Sequence, residues 1–418
     1  MFIFANFKKT QLRVKAPIMV ILFVIFAVGG SVLLSYMTQK KALFETKRAV
    51  LEDIVEKIKS DIDQTAMLAE SRAVMLASIP EIAEAFRRED RKWIIEQLKP
   101  MFLNQKQKYF VSEIQFHKAP AMTFLKLHKD GDYGEDLSGF RKTIVLVNNE
   151  KHPQRGLELG RAGLGIRGVV PVSDRNGHIG SVEFVFTLKN IINKIKELTS
   201  SEIGVFIDKK IFEDTCTQLS IKSGGNQKSA EVKSNTVGGF YYIDSSNKEK
   251  ILSSVNKDNL QKRSDLNIIF PIINGTEEGI AFAPLLDFGG NNIGKITVVK
   301  SFQDLNLAFS KKILWEIINS IVQIIVIASA VFVTLNGLLL SPLAELIQRC
   351  KALMRREKIF LKDYAHHHNE LDKIADVVIE KHPLFMDDKS NRYISDDNNS
   401  SNTDNGNNDA SMLSSLIS

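Results

Sequence analysis

The sequence predicts an α+β fold: a long N-terminal helix and two tandem antiparallel sheets between two transmembrane helices, followed by a short α-helical segment. Three observations lead to this prediction. Two long uncharged apolar stretches lie toward the two ends of the chain, the periodicity changes from helical to alternating at Phe110, and one hairpin pattern occurs twice. At 418 residues the chain has the length of two to three domains.

The first apolar stretch covers residues 16–39, which contain no charged side chain. With its unbroken apolar run from Ile18 to Ala27, this stretch is long enough to cross a hydrocarbon core of roughly 30 Å. The basic flank before it resembles the start of a secretory signal, but the sequence continues into a helical pattern without a small-residue cleavage site. We therefore expect an uncleaved membrane anchor, with cleavage as the alternative.

The second apolar stretch has its core at Ile317 to Leu340, with Trp315 at its outer edge as an interfacial anchor. Two spans place both termini on the same side of the membrane. The basic cluster that follows the second span, together with the N-terminal cations, favours the cytoplasm for that side. The expected location is the plasma (inner) membrane, with residues from about 40 to 312 extracytoplasmic.

From Lys41 to about Asp90 the pattern is helical. One face carries apolar residues at spacings of four and seven, and these are Leu43, Val50, Ile54, Ile58 and Ile62. This face could pack on the following domain or on the same helix of a second subunit. Pro80 is predicted to break the helix, and Pro100 to terminate a second helical piece that begins at Ile94.

Alternating periodicity predicts strands after Phe110. The strands of the first module are Val111–Phe116, Met122–His128, Thr143–Asn148, Gly168–Val172 and Gly180–Phe186. A helix at Asn190–Leu198 separates them from those of the second module, which are Ile203–Asp208, Phe240–Ile243, Leu266–Pro271, Gly279–Pro284 and Gly294–Val299. Each module is expected to be an antiparallel sheet with helices on one face.

The stretch from Gly156 to Ile191 is a hairpin with a second copy downstream. Pro171, Asp174 and Gly180 recur as Pro284, Asp287 and Gly294, at a spacing of about 113 residues, which indicates two similar modules in tandem. Hairpins share turn residues in any case, which is the alternative explanation. The polar exits after both hairpins also align, and this favours duplication.

The first hairpin places charged side chains where a globular core would exclude them. Arginines at this position can form bidentate, charge-assisted bonds to a carboxylate ligand, and two histidines could donate as well. The predicted ligand-binding residues are His117, His128, Asp136, Arg141, Glu158, Arg161, Arg167 and Glu183. In the alternative interpretation Arg161 pairs with Glu158, and Arg167 with Glu183, as partly buried ion pairs.

Other chemistry has little support in the sequence. Cys216 and Cys350 would lie on opposite sides of the membrane, so they cannot form an intramolecular disulfide, and the absence of a CxxC pair disfavours a zinc site. Neither a nucleophile–base pair nor a metal-binding cluster stands out, so we assign no catalytic, cofactor or metal residue. The net charge is +6, but the basic residues are dispersed, which disfavours nucleic acid as a partner.

Several segments of the first module resemble the extracytoplasmic double Cache domain of bacterial chemoreceptors and sensor kinases. The segments are 115–121 (QFHKAPA), 124–128 (FLKLH), 134–141 (GEDLSGFR) and 156–172 (GLELGRAGLGIRGVVPV). The resemblance covers about residues 41–305 and is strongest over 113–186. It implies two PAS-like sheets stacked along a long N-terminal helix, with a small ligand bound in the membrane-distal module.

The sequence after the second span resembles a HAMP linker, which is a dimeric bundle of two short parallel helices per chain. The resemblance rests on residues 341–347 (SPLAELI) and 369–375 (NELDKIA), with Pro342 at the family's early proline. Asp372 stands where the family has a glycine, so the linker is degenerate. It implies a homodimer.

Beyond Lys381 we find no ATP lid, no GG(D/E)EF-type turn and no long heptad hairpin, so the signal is expected to pass to a separate cytoplasmic protein. Residues 387–410 have the composition of a disordered segment. His366, His367 and His368 precede Glu370-Leu371 with a spacing unlike that of a phospho-acceptor site, and adjacent helical side chains point in different directions, which disfavours a metal site.

The predicted domains follow from these elements. They are a cytoplasmic tail (1–16), transmembrane helix 1 (17–39), extracytoplasmic helices (40–109), the membrane-distal Cache module (110–202), the membrane-proximal Cache module (203–310), transmembrane helix 2 (313–341), the HAMP-like helices (342–385) and a disordered tail (386–418). The favoured function is a transmembrane signal-transduction receptor for a small organic anion or amino acid. The alternatives are a membrane-anchored scaffold that uses the fold to bind protein and, with least support, an enzyme.

Overall fold

The computed structural model describes residues 12–129, 131–160, 163–220, 236–261 and 265–354. Its helices are α1 (Leu12–Ala77), α2 (Pro80–Arg87), α3 (Arg91–Tyr109), α4 (Lys142–Glu150), α5 (Lys189–Thr199), α6 (Lys209–Ser220), α7 (Lys248–Ser254), α8 (Lys257–Gln261), α9 (Gln303–Thr334) and α10 (Ser341–Met354), with a π-helix at Leu335–Leu340. Its strands are β1 (Val111–Lys118), β2 (Met122–Lys126), β3 (Gln154–Gly160), β4 (Gly163–Asp174), β5 (Gly177–Thr187), β6 (Glu202–Asp208), β7 (Thr236–Val237), β8 (Phe240–Ser245), β9 (Asn267–Ile269), β10 (Ile272–Ile273), β11 (Thr276–Leu286) and β12 (Asn292–Ser301).

The chain divides into two units. Residues 30–319 form one, which contains both sheets. The described part of the other is helical: it comprises the first residues of α1, the last of α9, the π-helix and α10. Helices α1 and α9 contain windows with mean hydropathy of 2.7 and 2.3, so both are long and apolar enough to cross a membrane, in agreement with the two predicted spans.

The distal sheet is antiparallel, with five strands in the order β2-β1-β5-β4-β3. Four of its strands were predicted, but the strand predicted at Thr143–Asn148 is wrong, because these residues form helix α4. The β-branched residues there favour a strand locally, whereas Ile144 and Val147 lie three positions apart and are buried together against Val169 of β4. Packing of a helical face therefore overrides the local propensity.

Helices cover both faces of this sheet rather than the one face that we predicted. Val169 packs with the buried residues of α4, while its neighbour Val170 belongs to the main core together with Ala69 of α1. Adjacent residues of a strand point to opposite faces. The α1 and α4 helices therefore lie on opposite sides of the distal sheet.

Two further elements differ from prediction. Strand β3 was not predicted, because Gly156 and Gly160 lower strand propensity and Glu158 resembles a solvent-facing residue. The predicted stop at Pro100 is wrong, since α3 continues through it to Tyr109. Ile94, Leu98 and Phe102 are buried on both sides of the proline, and this packing stabilises a single helix despite the missing backbone donor.

The proximal sheet confirms that the hairpin is duplicated. Its path is β10-β11-β12-β6-β8-β7, with β9 also paired to β11, and β11–β12 takes the place of β4–β5. In both sheets the predicted equivalent glycine lies against a carbonyl of the next strand: Gly180 against the oxygen of His117 and Gly294 against that of Phe206. A side chain at either glycine would collide with that backbone.

Helix α1 contributes to the core of both modules. Ile54 and Ile58 are buried, so the predicted apolar face packs on the chain's own sheets, which is the first of the two interpretations above. Farther along, the buried face consists of alanines, and Gly168 of β4 lies against the backbone of Ala69 and Glu70. Helix and sheet are therefore in backbone contact, with no room for an intervening side chain.

Replacement of Gly168 by Ala tests this contact. Because the new Cβ would collide with the helix backbone, we expect a loss of stability of about 1–3 kcal/mol or more, seen as a lower melting temperature of the purified chain in detergent. Gly239→Ala is the matched control, since a Cβ there has no atom within 4 Å. Equal melting temperatures for the two variants would contradict the close approach.

Candidate functional site

One face of the distal sheet is polar and buried. Paired residues of neighbouring strands share a face, and the register pairs Gln115 with both Lys126 and Glu183. The polar side chains brought to this face are Glu113, Gln115, His117, Lys126, Glu158, Arg167, Ser181 and Glu183, all of them buried. The opposite face carries the apolar residues that pack in the main core.

Arg141 lies at the centre of this polar cluster. It precedes α4, and its side chain is only 3% exposed. Its Nε donates to Glu158 Oε2 at 2.8 Å, and both terminal nitrogens donate to the carboxylate of Glu183. Glu158 in turn accepts hydrogen bonds from the backbone N–H of Thr143 at 3.0 Å and from its hydroxyl at 2.6 Å. These contacts use the three nitrogens of Arg141 and both oxygens of Glu158.

The charges of the cluster stabilise one another. Burial disfavours the guanidinium, but Glu183 and Glu158 together raise the pKa of Arg141 above its ordinary value. Burial also opposes ionisation of Glu183, while Arg141 and Arg167 lower the pKa of this carboxyl below its ordinary value. Arg141 and Glu183 are therefore ionised at neutral pH, as buried ion pairs with good geometry can be.

Arg167 is held more loosely than Arg141. Its Nη1 lies 3.4 Å from Glu183 and 3.9 Å from Glu113. Its buried Nε has no hydrogen-bond partner among the described residues. Gly160 and Gly165 make room for the guanidinium, because a Cβ at the first would lie 2.5 Å from Nη2 and one at the second 3.4 Å from Nε. Arg167 therefore retains unused donor capacity in a buried position.

His117 is a second group with unused capacity. It is fully buried, its Nε2 lies 3.6 Å from Glu183, and this nitrogen has no hydrogen-bond partner in the part of the chain that the structure describes. Burial, reinforced by the nearby cations and only partly opposed by Glu183, lowers the pKa of His117 to about 3. The imidazole is therefore neutral at physiological pH and can donate or accept one further bond.

The loop between β2 and α4 adds two carboxylates to this face. Lys126 binds Asp132 and Glu135 of the loop at 3.0 Å each. The loop is fixed further by Tyr133, whose ring lies 4.3 Å from the guanidinium of Arg91. The same loop ends at Arg141, so it connects the ion pairs of Lys126 with the centre of the cluster.

The structure brings most of the predicted site residues together. His117, Arg141, Glu158, Arg167 and Glu183 form the cluster just described. The predicted pair of Arg167 with Glu183 is confirmed, although Glu183 binds Arg141 as well.

The other predicted residues lie outside the cluster or outside the described part of the chain. His128 lies beside the cluster, where burial first and Lys126 second lower its pKa. Asp136 lies in the loop, where its Oδ1 accepts hydrogen bonds from the N–H and hydroxyl of Ser138. Arg161 falls outside the described residues, as do the second HAMP-like helix (369–375), the three histidines (366–368) and the tail (386–418).

Sequence reasoning missed four members of the face: Glu113, Gln115, Lys126 and Ser181. The signal was present, because Glu113, Gln115 and His117 alternate with the buried Ile114 and Phe116 along β1. Strict alternation of polar and apolar residues on a strand with both faces buried indicates a polar interior face.

The equivalent face of the proximal module is largely apolar, although it also carries the buried Lys295 and Thr297. The aligned glycines make Phe206 the counterpart of His117, and the register makes Thr297 the counterpart of Glu183. Gly204 takes the place of Gln115, and a Cβ there would lie 2.5 Å from Ile251 of α7. This face is filled by the protein's own apolar side chains.

Comparison with known proteins agrees with this architecture. Residues 47–305 match the double sensory domain of two-component sensor kinases, and the chain belongs to this family. The predicted resemblance to the double sensory domain of kinases and chemoreceptors is thus confirmed. No curated protein sequence matches the chain.

Solved structures with a similar arrangement have low sequence identity. The sensor domain of the Vibrio cholerae histidine kinase DctB is 12% identical with a TM-score of 0.37, over 63% of this chain and 98% of that one. The ligand-binding domain of the Campylobacter jejuni chemoreceptor Tlp3, in complex with 4-methylisoleucine, is 12% identical with a TM-score of 0.35, over 66% and 94%. The Pseudomonas aeruginosa amino acid chemoreceptor PctC, in complex with GABA, is 13% identical with a TM-score of 0.31, over 60% and 96%.

The neutral state of His117 predicts a pH dependence of stability. Its pKa is about 3 in the folded chain and near 6.5 when exposed, so the unfolded state binds more protons between these values. Stability should therefore fall as the pH is lowered from 6.5, by up to about 1.4 kcal/mol per pH unit for this group. Glu183, whose pKa is lowered in the folded chain, stays ionised between pH 7.5 and 5.5, so its charge does not contribute to the change over this range.

The measurement is the melting temperature of the wild type and of His117→Asn across this range. We expect the variant to lose less stability on acidification than the wild type. His178→Asn is the control, because His178 is only half-buried and its pKa is lowered mainly by that burial. If the melting temperatures of the wild type and of His117→Asn fell equally as the pH is lowered, this result would contradict a buried neutral imidazole at position 117.

Proposed function

We propose that this chain is a transmembrane sensory receptor that binds a small amino-acid-like ligand on the polar face of its distal module. The observation that carries the proposal is the buried cluster, in which Arg167 Nε and His117 Nε2 keep unused hydrogen-bonding capacity. Buried polar groups are satisfied in most proteins. Groups that are left without partners in a family of sensory domains mark the place where a ligand completes the network.

The charge of the face favours one of the two predicted ligand classes. Among the described residues, four cations (Lys126, Lys129, Arg141 and Arg167) pair with five carboxylates (Glu113, Asp132, Glu135, Glu158 and Glu183). A simple organic anion would add to this excess of negative charge, whereas an ammonium group would reduce it. A zwitterionic amino acid therefore fits better than an organic anion.

The residues then divide into two roles. Arg141 is saturated by Glu158 and Glu183, so it organises the site rather than binding the ligand. Arg167 is the residue for the ligand carboxylate, because a guanidinium presents paired donors to a carboxylate. Glu113 lies 3.9 Å from Arg167 and offers a carboxylate for the ligand ammonium. His117 supplies one neutral hydrogen bond.

The proposed path of signal transmission follows from the way the two sheets are connected to α1 and α9. Helix α1 packs on both sheets, and β12 leads directly into α9, the second apolar helix. Helix α10 begins at Ser341 and corresponds to the first HAMP-like helix. We propose that a change in α9 reaches a separate cytoplasmic partner through this linker, in a homodimer, with both termini in the cytoplasm.

A scaffold function has one observation in its favour. The distal half of α1 exposes apolar residues beside its buried face, and these are Met67, Leu68, Val74 and Met75. Such a surface could bind another protein. The ligand experiment described next separates this function from the sensory one.

A ligand panel tests the proposed chemistry. The purified full-length chain is melted with matched triplets such as alanine, propionate and ethylamine, and with triplets of larger side chains. We expect stabilisation by one or more amino acids, about 2.7 kcal/mol at one hundred times Kd, and none by the acid or amine of the same triplet. Stabilisation by acids alone would contradict the charge argument, and no stabilisation together with a co-purifying extracytoplasmic protein would favour the scaffold.

Two variants assign the effect to the site. Arg167→Ala should abolish the ligand-induced shift, while Arg167→Lys should weaken it, because an ammonium cannot bind a carboxylate through two parallel bonds. Arg48→Ala is the control, since Arg48 is exposed on α1, where it pairs with its helix neighbour Glu52. A full shift in Arg167→Ala would exclude Arg167 from the site.

Cysteine labelling in intact cells tests the topology. In a Cys216→Ser background, a membrane-impermeant maleimide should label Lys92→Cys, whose wild-type side chain is 89% exposed. Native Cys350 should react only after permeabilisation. The reverse pattern would show that the sensory body faces the cytoplasm.

A further inference from the structure

The distal and proximal modules meet at a backbone joint beside the ligand face. The backbone N–H of Phe288, in the turn between β11 and β12, donates to the carbonyl of Leu157 in β3 at 2.9 Å. Gly156 has φ of +141°, and a Cβ there would lie 2.8 Å from both Cα and Cβ of Phe288. The proximal hairpin thus touches the distal sheet without an intervening side chain.

The turn that makes this contact is preformed. Oδ1 of Asp287 accepts hydrogen bonds from the backbone N–H of Gly289 at 2.9 Å and from that of Asn291 at 2.8 Å. The N–H of Gly290 donates to the carbonyl of Asp287 at 3.0 Å. A turn held by its own side chain transmits a displacement instead of absorbing it.

Strand β3 lies between the ligand cluster and this turn. It is the edge strand of the distal sheet, and Glu158, next to Leu157, carries the carboxylate that binds Arg141. On the same strand Arg155 binds Glu70 of α1 at 2.9 Å. Any rearrangement of Glu158 therefore acts on a strand whose adjacent carbonyl is bonded to the proximal hairpin.

The other end of the hairpin connects to the second apolar helix. Strand β12 has ten residues and is followed by Phe302, which is buried and lies against Gly279 of β11, and then by α9. The two strands of the hairpin are paired from Glu278 and Ser301 to Leu286 and Asn292, with one register shift at Leu285 and Leu286. It is a stiff link from the turn at Phe288 to the start of α9.

We propose that the joint of Gly156 and Leu157 with Phe288 couples the distal ligand face to α9. The inference rests on the proposed function in placing the ligand at Glu158, but the coupling itself can be measured without any ligand. A change at the Glu158 carboxylate should alter α9 when the joint is intact. It should not do so when a side chain is forced into the joint.

The readout is the rate of thiol cross-linking between α1 and α9. Gln39 and Glu316 bond to each other across these helices at 2.7 Å, so Gln39→Cys and Glu316→Cys are combined in a full-length chain with Cys216→Ser and Cys350→Ser. Glu158→Gln is expected to change this rate about fivefold or more, the lower range of measured couplings between sites. Where Glu158→Gln fails to fold, Thr143→Val removes a 2.6 Å bond to the same carboxylate.

Gly156→Ala then tests the joint, and we expect it to reduce the effect of the Glu158 change to less than twofold. The control is Gly163→Ala, which carries the same kind of strain, with φ of +109°, but has no atom within 4 Å of the added Cβ. It should leave the fivefold effect intact.

An equal effect of Glu158→Gln with and without Gly156→Ala, or none in the wild-type joint, would overturn the proposal. Failure of the amino-acid panel alone would leave these rates unchanged and would overturn only the ligand assignment.

Discussion

A guanidinium buried away from water determines how the distal module is built. Arg141 is 3% exposed, and a charge in that position is tolerated only if carboxylates surround it with good geometry. Glu183 comes from the central strand β5 and Glu158 from the edge strand β3, while Arg141 lies immediately before α4. One electrostatic requirement therefore joins a loop, a helix, an edge strand and a central strand. Removing one partner of such a group leaves an uncompensated charge, which destabilises a protein by about 3–5 kcal/mol.

The two modules contain the same hairpin but differ in the side chains that it carries. Equivalent glycines bring each hairpin against the neighbouring strand, so the backbone arrangement at this point is the same in both modules. The side chains on the corresponding face differ, with His117 and Glu183 in the distal module against Phe206 and Thr297 in the proximal one. Burial of apolar surface stabilises the proximal face without any ligand. The distal face is also buried, but it keeps unused hydrogen-bonding capacity. This difference between the two faces suits a protein in which one module binds a ligand and the other transmits the effect of binding.

Much of this organisation could be predicted from the sequence, because it depends on periodicity and composition. The two apolar helices, the helical face of α1 and the duplicated hairpin all follow from regular patterns. The errors arose where long-range packing overrides a local preference. The β-branched residues around Ile144 form a helix because that helix fits against Val169, and Pro100 is tolerated because residues on both sides of it are buried.

The site was predictable to a similar degree. Arginine and glutamate inside the predicted hairpin were sufficient to predict Glu158, Arg167 and Glu183 as members of the cluster. What the sequence could not provide was the partner of Arg141, which reaches Glu183 across 42 positions of the chain. The difference between a saturated Arg141 and a loosely held Arg167 depends on distances of 2.8 Å against 3.4–3.9 Å. No property of the isolated residues encodes that difference.

The contact of Gly168 with the backbone of Ala69 and Glu70 also limits how the protein can be dissected. Helix and sheet touch without side chains between them, so neither can rotate or slide against the other without breaking the contact. The distal part of α1 is thus an integral piece of the sheet module and not an exchangeable stalk. A chimaera that grafts this sensory body onto a different membrane anchor would have to place its crossover upstream of Lys47, which is buried and binds Glu277 of β11 at 2.9 Å.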